Sequence, residues 1–384
     1  MKAELPRNLF RTSRPAPLAG PALAWKSFFR DFRREDLTIC LLSLAILSGV
    51  IIALHAIGAE GPGASWLAVN ILVYFNVLIY AVLIDAVMRI LKARPEKPLH
   101  FAFAYIFSRA NLQKIACAIP VIIAVGAFMP GFSSIKSSIE LFSSFTWDTT
   151  FIALDRSLHG QDPWRLLQPF LGYPGITQLL SSAYHLWFML IYFGPIYFAV
   201  YGTDRMLRLQ FFLAFFLTWT ICGMVLAIAF ASVGPCFIGP LLGNGYFADQ
   251  MGYLSDVHRI FPLFTVEIQE QLLLWYKAGD HGLGRGITAM PSMHVALAFL
   301  YVLAMRRVSK PLGWLFGTFC LLIMLGSVHL GYHYAVDGYV AIAVTAAIWA
   351  AAGALAKRLR TMPAPMALLA RSNGSMKLAA TSTI

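Results

Sequence analysis

The sequence predicts an all-α fold, a polytopic membrane helical bundle of about eight spans. Three observations carry this. Of the 384 residues, 59% are hydrophobic and 12% are charged, against a charged fraction of about 25% in soluble domains. Apolar runs of about 20 residues, long enough to cross a bilayer as a helix, recur along the chain. Basic residues concentrate in alternate connections between those runs.

In chain order the spans are read at 38–57, 66–88, 115–132, 178–201, 210–232, 291–305, 311–328 and 337–356. The stretch before the first is too long and polar for a cleaved signal peptide, so the first run reads as an anchor. Trp25-Lys26-Ser27-Phe28-Phe29-Arg30-Asp31-Phe32-Arg33-Arg34 mixes aromatic and basic side chains. That pattern suits a helix lying on the membrane surface or a simple basic arm. Near the end of the second run, Asp85 and Arg89 are spaced for an i,i+4 ion pair. Two long connections, 133–177 and 233–290, carry Trp, Pro, Gly and acidic residues. In the first of them, 145–171 reads as one or two short helices, with Asp162-Pro163 a helix start. Asp148, Asp155, Asp162 and His159 there suit caps or solvated positions more than a ligand site. The tail after 360 is rich in Ala, Ser and Thr, and is expected to be disordered. The five cysteines show neither paired nor metal-ligand spacing and read as small apolar packers.

Charge supplies the topology. With both termini cytoplasmic, the inner segments hold 24 of the 30 basic residues, leaving Lys136, Arg156, Arg165, Arg259, Lys277 and Arg285 outside. This is the positive-inside pattern. The net charge of +12 is then a matter of orientation and anionic headgroup contact. Basic residues spread over five separate segments argue against a nucleic-acid partner.

Two polar stretches meet in this topology. Pro291-Ser292-Met293-His294 opens the sixth span and His333-Tyr334-Ala335-Val336-Asp337 opens the eighth, so both lie at the outer boundary. Ionisable residues at membrane depth are costly and mark sites or pathways. His333 and Asp337, four apart, share a helix face, and a carboxylate on one imidazole nitrogen leaves the other free to act. Pro291 suits a first helical turn, and Ser292 with the free amides there can hold an anion. His329, His333 and Asp337 at i, i+4 and i+8 also allow a metal stripe on one helix, although Gly331 interrupts it. His185 either faces the site or bonds between helices.

These residues resemble the type 2 phosphatidic acid phosphatase superfamily. Ala289 through His294, with His333-Tyr334-x-x-Asp337, is most similar to its inositol phosphorylceramide synthase (inositolphosphotransferase) branch. The resemblance covers roughly 115–356 and implies a six-helix catalytic membrane domain there. The arm 1–37, two extra helices with an inner loop at 38–114, and a cytoplasmic tail at 357–384 complete the organisation. It implies metal-independent phosphoryl transfer between membrane lipids, without a cofactor. His333 would attack phosphorus, Asp337 orient it, and His294 protonate the leaving oxygen and later activate the acceptor. A lipid or polyprenyl phosphate phosphatase is the near alternative, since water can replace the acceptor. A transporter with a histidine proton relay is the alternative of another class.

The pattern departs from the phosphatase branch in three places. Met293 stands where Gly is usual, Ser327 where an Arg is usual, and the Lys-to-Arg-Pro motif is missing: Arg94-Pro95 has Val87 in the Lys position and falls on the inner side. A transferring phosphoryl group needs positive charge around its oxygens. Arg285, in a Gly-rich turn just before His294, is the leading substitute. Arg156 and Arg165 follow, with Ser292 and Ser327 as further phosphate contacts.

Overall fold

The computed structural model describes residues 34–361 apart from 203, 281 and 283. The basic arm and most of the tail lie outside the described residues. Every regular element among those described is helical. The order is α1 Arg34–Ala56, α2 Ala64–Ala93, α3 Pro98–Ile106, α4 Arg109–Ser137, α5 Ile139–Phe142, α6 Asp148–His159, α7 Pro163–Leu171, α8 Pro174–Leu186, α9 Phe188–Ile196, α10 Arg205–Thr220, α11 Pro235–Leu242, α12 Ala248–Ile260, α13 Phe264–Lys277, α14 Met293–Val308, α15 Lys310–His329 and α16 Ala335–Thr361. A π turn, Tyr197–Tyr201, extends α9, and a second, Ile221–Leu226, extends α10.

Among the described residues, seven helical segments are long and apolar enough to cross a membrane. They coincide with seven of the eight runs. The remaining run, 291–305, forms α14, which has only 16 residues and rises about 24 Å at 1.5 Å per residue. It need not match a bilayer, because Val295, Ala296, Leu297, Ala298, Leu300, Tyr301 and Ala304 are all fully buried. α10, α15 and α16 pack around it. α10 is likewise buried from Leu207 to Phe216, as expected of a helix apolar on every side. Large apolar side chains left outside, including Leu44, Ile52, Leu72, Leu91 and Trp314, belong to the peripheral α1, α2 and α15, where lipid replaces protein as neighbour.

Prolines explain how α2 is fastened. Pro130 in α4 has no N–H to give the carbonyl of Gly126, and Pro195 in α9 has none for Ile191. Asn70 Nδ2 donates to Gly126 at 2.7 Å, and the Tyr74 hydroxyl to Ile191 at 2.9 Å. Both freed carbonyls are thus satisfied by one helix, as hydrocarbon surroundings require. Gly126 permits the approach, since a Cβ there would sit 3.2 Å from the Ile71 Cα.

The two ends of the bundle differ. One gathers buried Arg208 paired with Asp36, Asp85 paired with Arg89 and Tyr105, and Lys114 over the Tyr201 ring. The other collects α5–α8, α11–α13, the start of α14 and the junction between α15 and α16. The reading of 145–171 is realised as α6 and α7, with Pro163 in the first turn of α7.

Candidate active site

α15 ends at His329 and α16 begins at Ala335. The residues between form a sharp reversal through Gly331 at φ +74°, a conformation that favours glycine. The break falls where the spans ending at 328 and starting at 337 place it. His329, His333 and Asp337 therefore do not form the stripe on one helix that their spacing allowed, and His333 lies just before α16 instead of on a helix face shared with Asp337. The reversal is held from all sides. The Ser327 carbonyl accepts from the amides of Tyr332 and His333, both at 3.1 Å. Gln250 Nε2 donates to Val328, Gln269 Nε2 to Leu330, and the Cys236 amide to Gly331. The last carbonyls of α15 would otherwise be stranded.

Asp337 sits in the first turn of α16. Its Oδ2 accepts from the Tyr334 amide at 3.0 Å and lies 3.2 Å from His333 Nδ1. The histidine therefore meets the carboxylate from just before the helix, by a reach-back of the capping-box kind, instead of along a helix face. Asp155 on α6 accepts from the next two amides, Ala335 at 2.7 Å and Val336 at 2.9 Å. Burial pushes the Asp155 carboxyl up, and those two amides partly offset the rise. Asp148, one face-repeat earlier on α6, accepts from the amides of Val233 and Gly234 and from the Tyr334 hydroxyl.

The second stretch docks onto the first. Ser292 is the N-cap of α14, its Oγ accepting from Val295 at 3.4 Å, and its own amide donates to the Asp337 carbonyl at 3.2 Å. One peptide hydrogen bond thus ties the two motifs. It brings the rings of His294 and His333 to 6.1 Å between centroids. His294 is packed between Tyr184 at 4.3 Å and Trp187 at 4.1 Å. Stacking fixes this ring, and among the described residues no side chain or amide hydrogen-bonds to it.

Both histidines line a cavity of about 180 Å³. Its walls come from α2, α4, α8, α9, the second π turn, α13 and the segment before α14, and are mostly apolar and aromatic. His185 also lines it, with Nδ1 on the Ser181 carbonyl.

The candidate phosphate contacts separate. Arg285 lies beside the cavity wall, but its guanidinium pairs with Asp280 and lies over the Trp275 ring at 4.6 Å. Arg156 bonds Tyr246, and Arg165 bonds Asp249 and Asp162 while covering Trp164; none of the three arginines lines the cavity. Ser292 and Ser327 are fully buried, and the Ser327 hydroxyl donates to the Met324 carbonyl at 2.8 Å. The basic side chain that does line the cavity with the histidines is Lys136, at the end of α4.

Sequence reasoning held Lys136 only as one of the six outer basic residues, behind Arg285, Arg156 and Arg165, because hydropathy places a helix end without saying which way its last side chain points. Asp155 had a readable signal. Asp148, Phe151, Ile152 and Asp155 are buried on α6 at i, i+3, i+4 and i+7, a stripe with acids at both ends. Buried carboxylates need donors, so the stripe announces a docked backbone.

Fold and site together define a helical membrane protein with a buried histidine–carboxylate pair facing a second histidine across a cavity. The sequence profile of the PAP2 superfamily matches residues 149–351, just over half of the chain, and the protein belongs to that superfamily. Superfamily membership points to phosphatase or phosphotransferase chemistry on lipid phosphates. The match begins within α6 and includes both motifs, while α1, α2 and α4 precede it. No curated protein and no solved structure matches the chain significantly.

Proposed function

We propose that the protein is a lipid phosphotransferase that moves a phospho-headgroup from one membrane lipid to another through a phosphohistidine, as in the inositolphosphotransferase branch. The observation that carries the reading is the His333–Asp337 pair set opposite His294 across the cavity. His333 Nδ1 faces the Asp337 carboxylate, so Nε2 is the nucleophile. It attacks phosphorus, a P–N bond forms, and the P–O bond to the donor's lipid alcohol breaks. His294 gives that oxygen its proton. In the second half His294 takes a proton from the acceptor hydroxyl, whose oxygen attacks phosphorus as the P–N bond breaks. The steps balance without an outside reagent, and general acid–base and nucleophilic roles are split as in other covalent mechanisms.

Asp337 fixes the His333 ring and stabilises its positive charge, as the acid of a triad does. The aromatic walls favour transfer over hydrolysis, because water competes poorly for an intermediate enclosed by Trp187, Phe188, Trp219 and Tyr332. The charge asymmetry of the sequence supports a site on the face opposite the basic loops, the periplasmic, extracellular or lumenal side, with both termini cytoplasmic.

The test is incubation of purified protein with phospholipids labelled at phosphorus, with and without acceptor lipids. A transferase yields a labelled new lipid and an acid-labile label at His333 that His333→Ala loses. Free phosphate as the sole product would make it a phosphatase. Lipid movement without covalent label would make it a transporter.

A further inference from the structure

The usual basic clamp is absent from the motifs, yet the cavity is not without charge. Lys136 lines it together with His294 and His333, and among the described residues no carboxylate does. Among the described residues Lys136 has no ion pair, whereas Arg156, Arg165 and Arg285 are each engaged elsewhere. Its placement follows from α4. Met129, Phe132, Ser133 and Lys136 all face the cavity, at i, i+3, i+4 and i+7, so the last turn of that stripe carries the cation to the histidine end. Gly286, at φ +96°, passes so close to the Lys136 carbonyl that a Cβ there would lie 2.6 Å from it. Ser133 Oγ accepts from the Gly284 amide at 3.2 Å. The end of α4 is thereby fixed to the segment leading into α14.

A second observation points to a ligand. Among the described residues, the donors Tyr184 OH, Trp187 Nε1 and Trp219 Nε1 are buried without a hydrogen-bond partner. All three residues line this cavity and are at most 3% exposed. Indole N–H groups can only donate, and buried donors are rarely left unmade without reason. A cation beside two histidines in one mostly apolar space, with these donors in its walls, describes a seat for an oxygen-rich anion.

We propose that Lys136 is the group that holds the substrate phosphate in this protein, in place of the missing clamp, and that its site is matched to a singly charged phosphodiester. The proposal rests on the phosphotransferase reading above. One fixed cation balances one negative charge. A phosphomonoester carries about −1.5 to −2 at neutral pH, and the surplus charge would be desolvated in an apolar cavity without a partner. Lys136 lies upstream of the matched region 149–351, so a helix outside that match completes the site.

The test compares Lys136→Met, Lys136→Arg and Lys136→Cys, purified in detergent, on fluorescent lipids that carry either a phosphodiester headgroup or a terminal phosphomonoester. Lys136→Met should lower kcat/KM for the diester by about 100-fold, the scale of losing one donor to a transferring oxyanion. Lys136→Arg should retain activity within about tenfold, as a cation of similar reach. Aminoethylation of Lys136→Cys should restore turnover, whereas a neutral alkylating reagent should not; a purely structural role would not distinguish the two. Lys136→Met within threefold of wild type, or equal rescue by both reagents, overturns the Lys136 assignment. Wild type with a higher kcat/KM for the monoester overturns the charge match. Wild-type turnover by His333→Ala would instead overturn the mechanism beneath, so the two failures are separable.

Discussion

Asp155→Asn tests whether α6 sets the geometry of the site without touching it. In wild type both carboxylate oxygens are used, one by the Ala335 amide at 2.7 Å and one by Val336 at 2.9 Å. An asparagine keeps one acceptor and turns an NH2 group toward the other amide, leaving a buried donor unmade. Losing a hydrogen bond to a charged group costs about 1.5–3 kcal/mol. Removing the anion from a helix N-terminus adds about 0.3–1 kcal/mol. Asp155 is itself held above the usual carboxylate range by burial, and the neutral amide escapes that penalty, so the net loss should fall near 2 kcal/mol. At about 2–4 °C per kcal/mol, the unfolding temperature in detergent should drop by roughly 4–8 °C. Because Ala335 and Val336 directly precede Asp337, the His333–Asp337 alignment should loosen as well. Displacements of about 1 Å can cost as much as 100-fold in rate, so kcat should fall at least tenfold. KM should hold, since Asp155 does not line the cavity shared by His294 and His333. The assay is tryptophan-monitored melting alongside turnover of a fluorescent phospholipid. A variant that melts with wild type and keeps full kcat would refute the idea that α6 positions the site.

Other outcomes follow from the same contacts. Asp337→Asn should lower kcat by about 10³–10⁴-fold with little change in KM, as when a triad acid is neutralised; steady-state kinetics decides. Asn70→Leu should cost about 1 kcal/mol by stranding the Gly126 carbonyl. The double variant Asn70→Leu with Pro130→Ala should recover most of it, because the introduced alanine supplies the amide that Pro130 lacks; melting of the four proteins in the cycle shows whether it does. Gly223→Val should reduce kcat/KM, because even a Cβ there would lie 2.5 Å from Phe132 and 3.1 Å from the Met293 sulfur, in the cavity wall. Unchanged kinetics would mean that wall is not used.

Much of this architecture was legible in the residues. Apolar runs located the long helices because a bilayer demands one apolar length and one kind of backbone pairing. Run 291–305 became the shortest of them, since a helix wholly surrounded by protein is free of the bilayer's length. The pairing of His333 with Asp337 was visible as spacing, yet its form was not. The apolar runs already separate at 328 and 337, but the shape of the turn between them was not readable, since Gly331 together with Gln250, Gln269 and Cys236 from a distant connection sets it. Arg285 looked like the phosphate cation by its closeness in sequence to His294. Asp280 and Trp275 claim it in the folded chain.

The sequence by itself determined that the chain is a helical membrane bundle, that its two polar stretches open helices at one boundary, and which histidine is backed by a carboxylate. Those features depend on composition, local spacing and charge counting, all of which are properties of segments. Tertiary structure alone decided that Asp155 caps the helix bearing Asp337, that Ser292 is tied to the Asp337 carbonyl, and that Lys136 is the cation beside the histidines. These depend on side-chain direction and on competition among partners far apart in the chain. A charge goes to the partner that packing places within reach, and packing is settled only when all the helices have met.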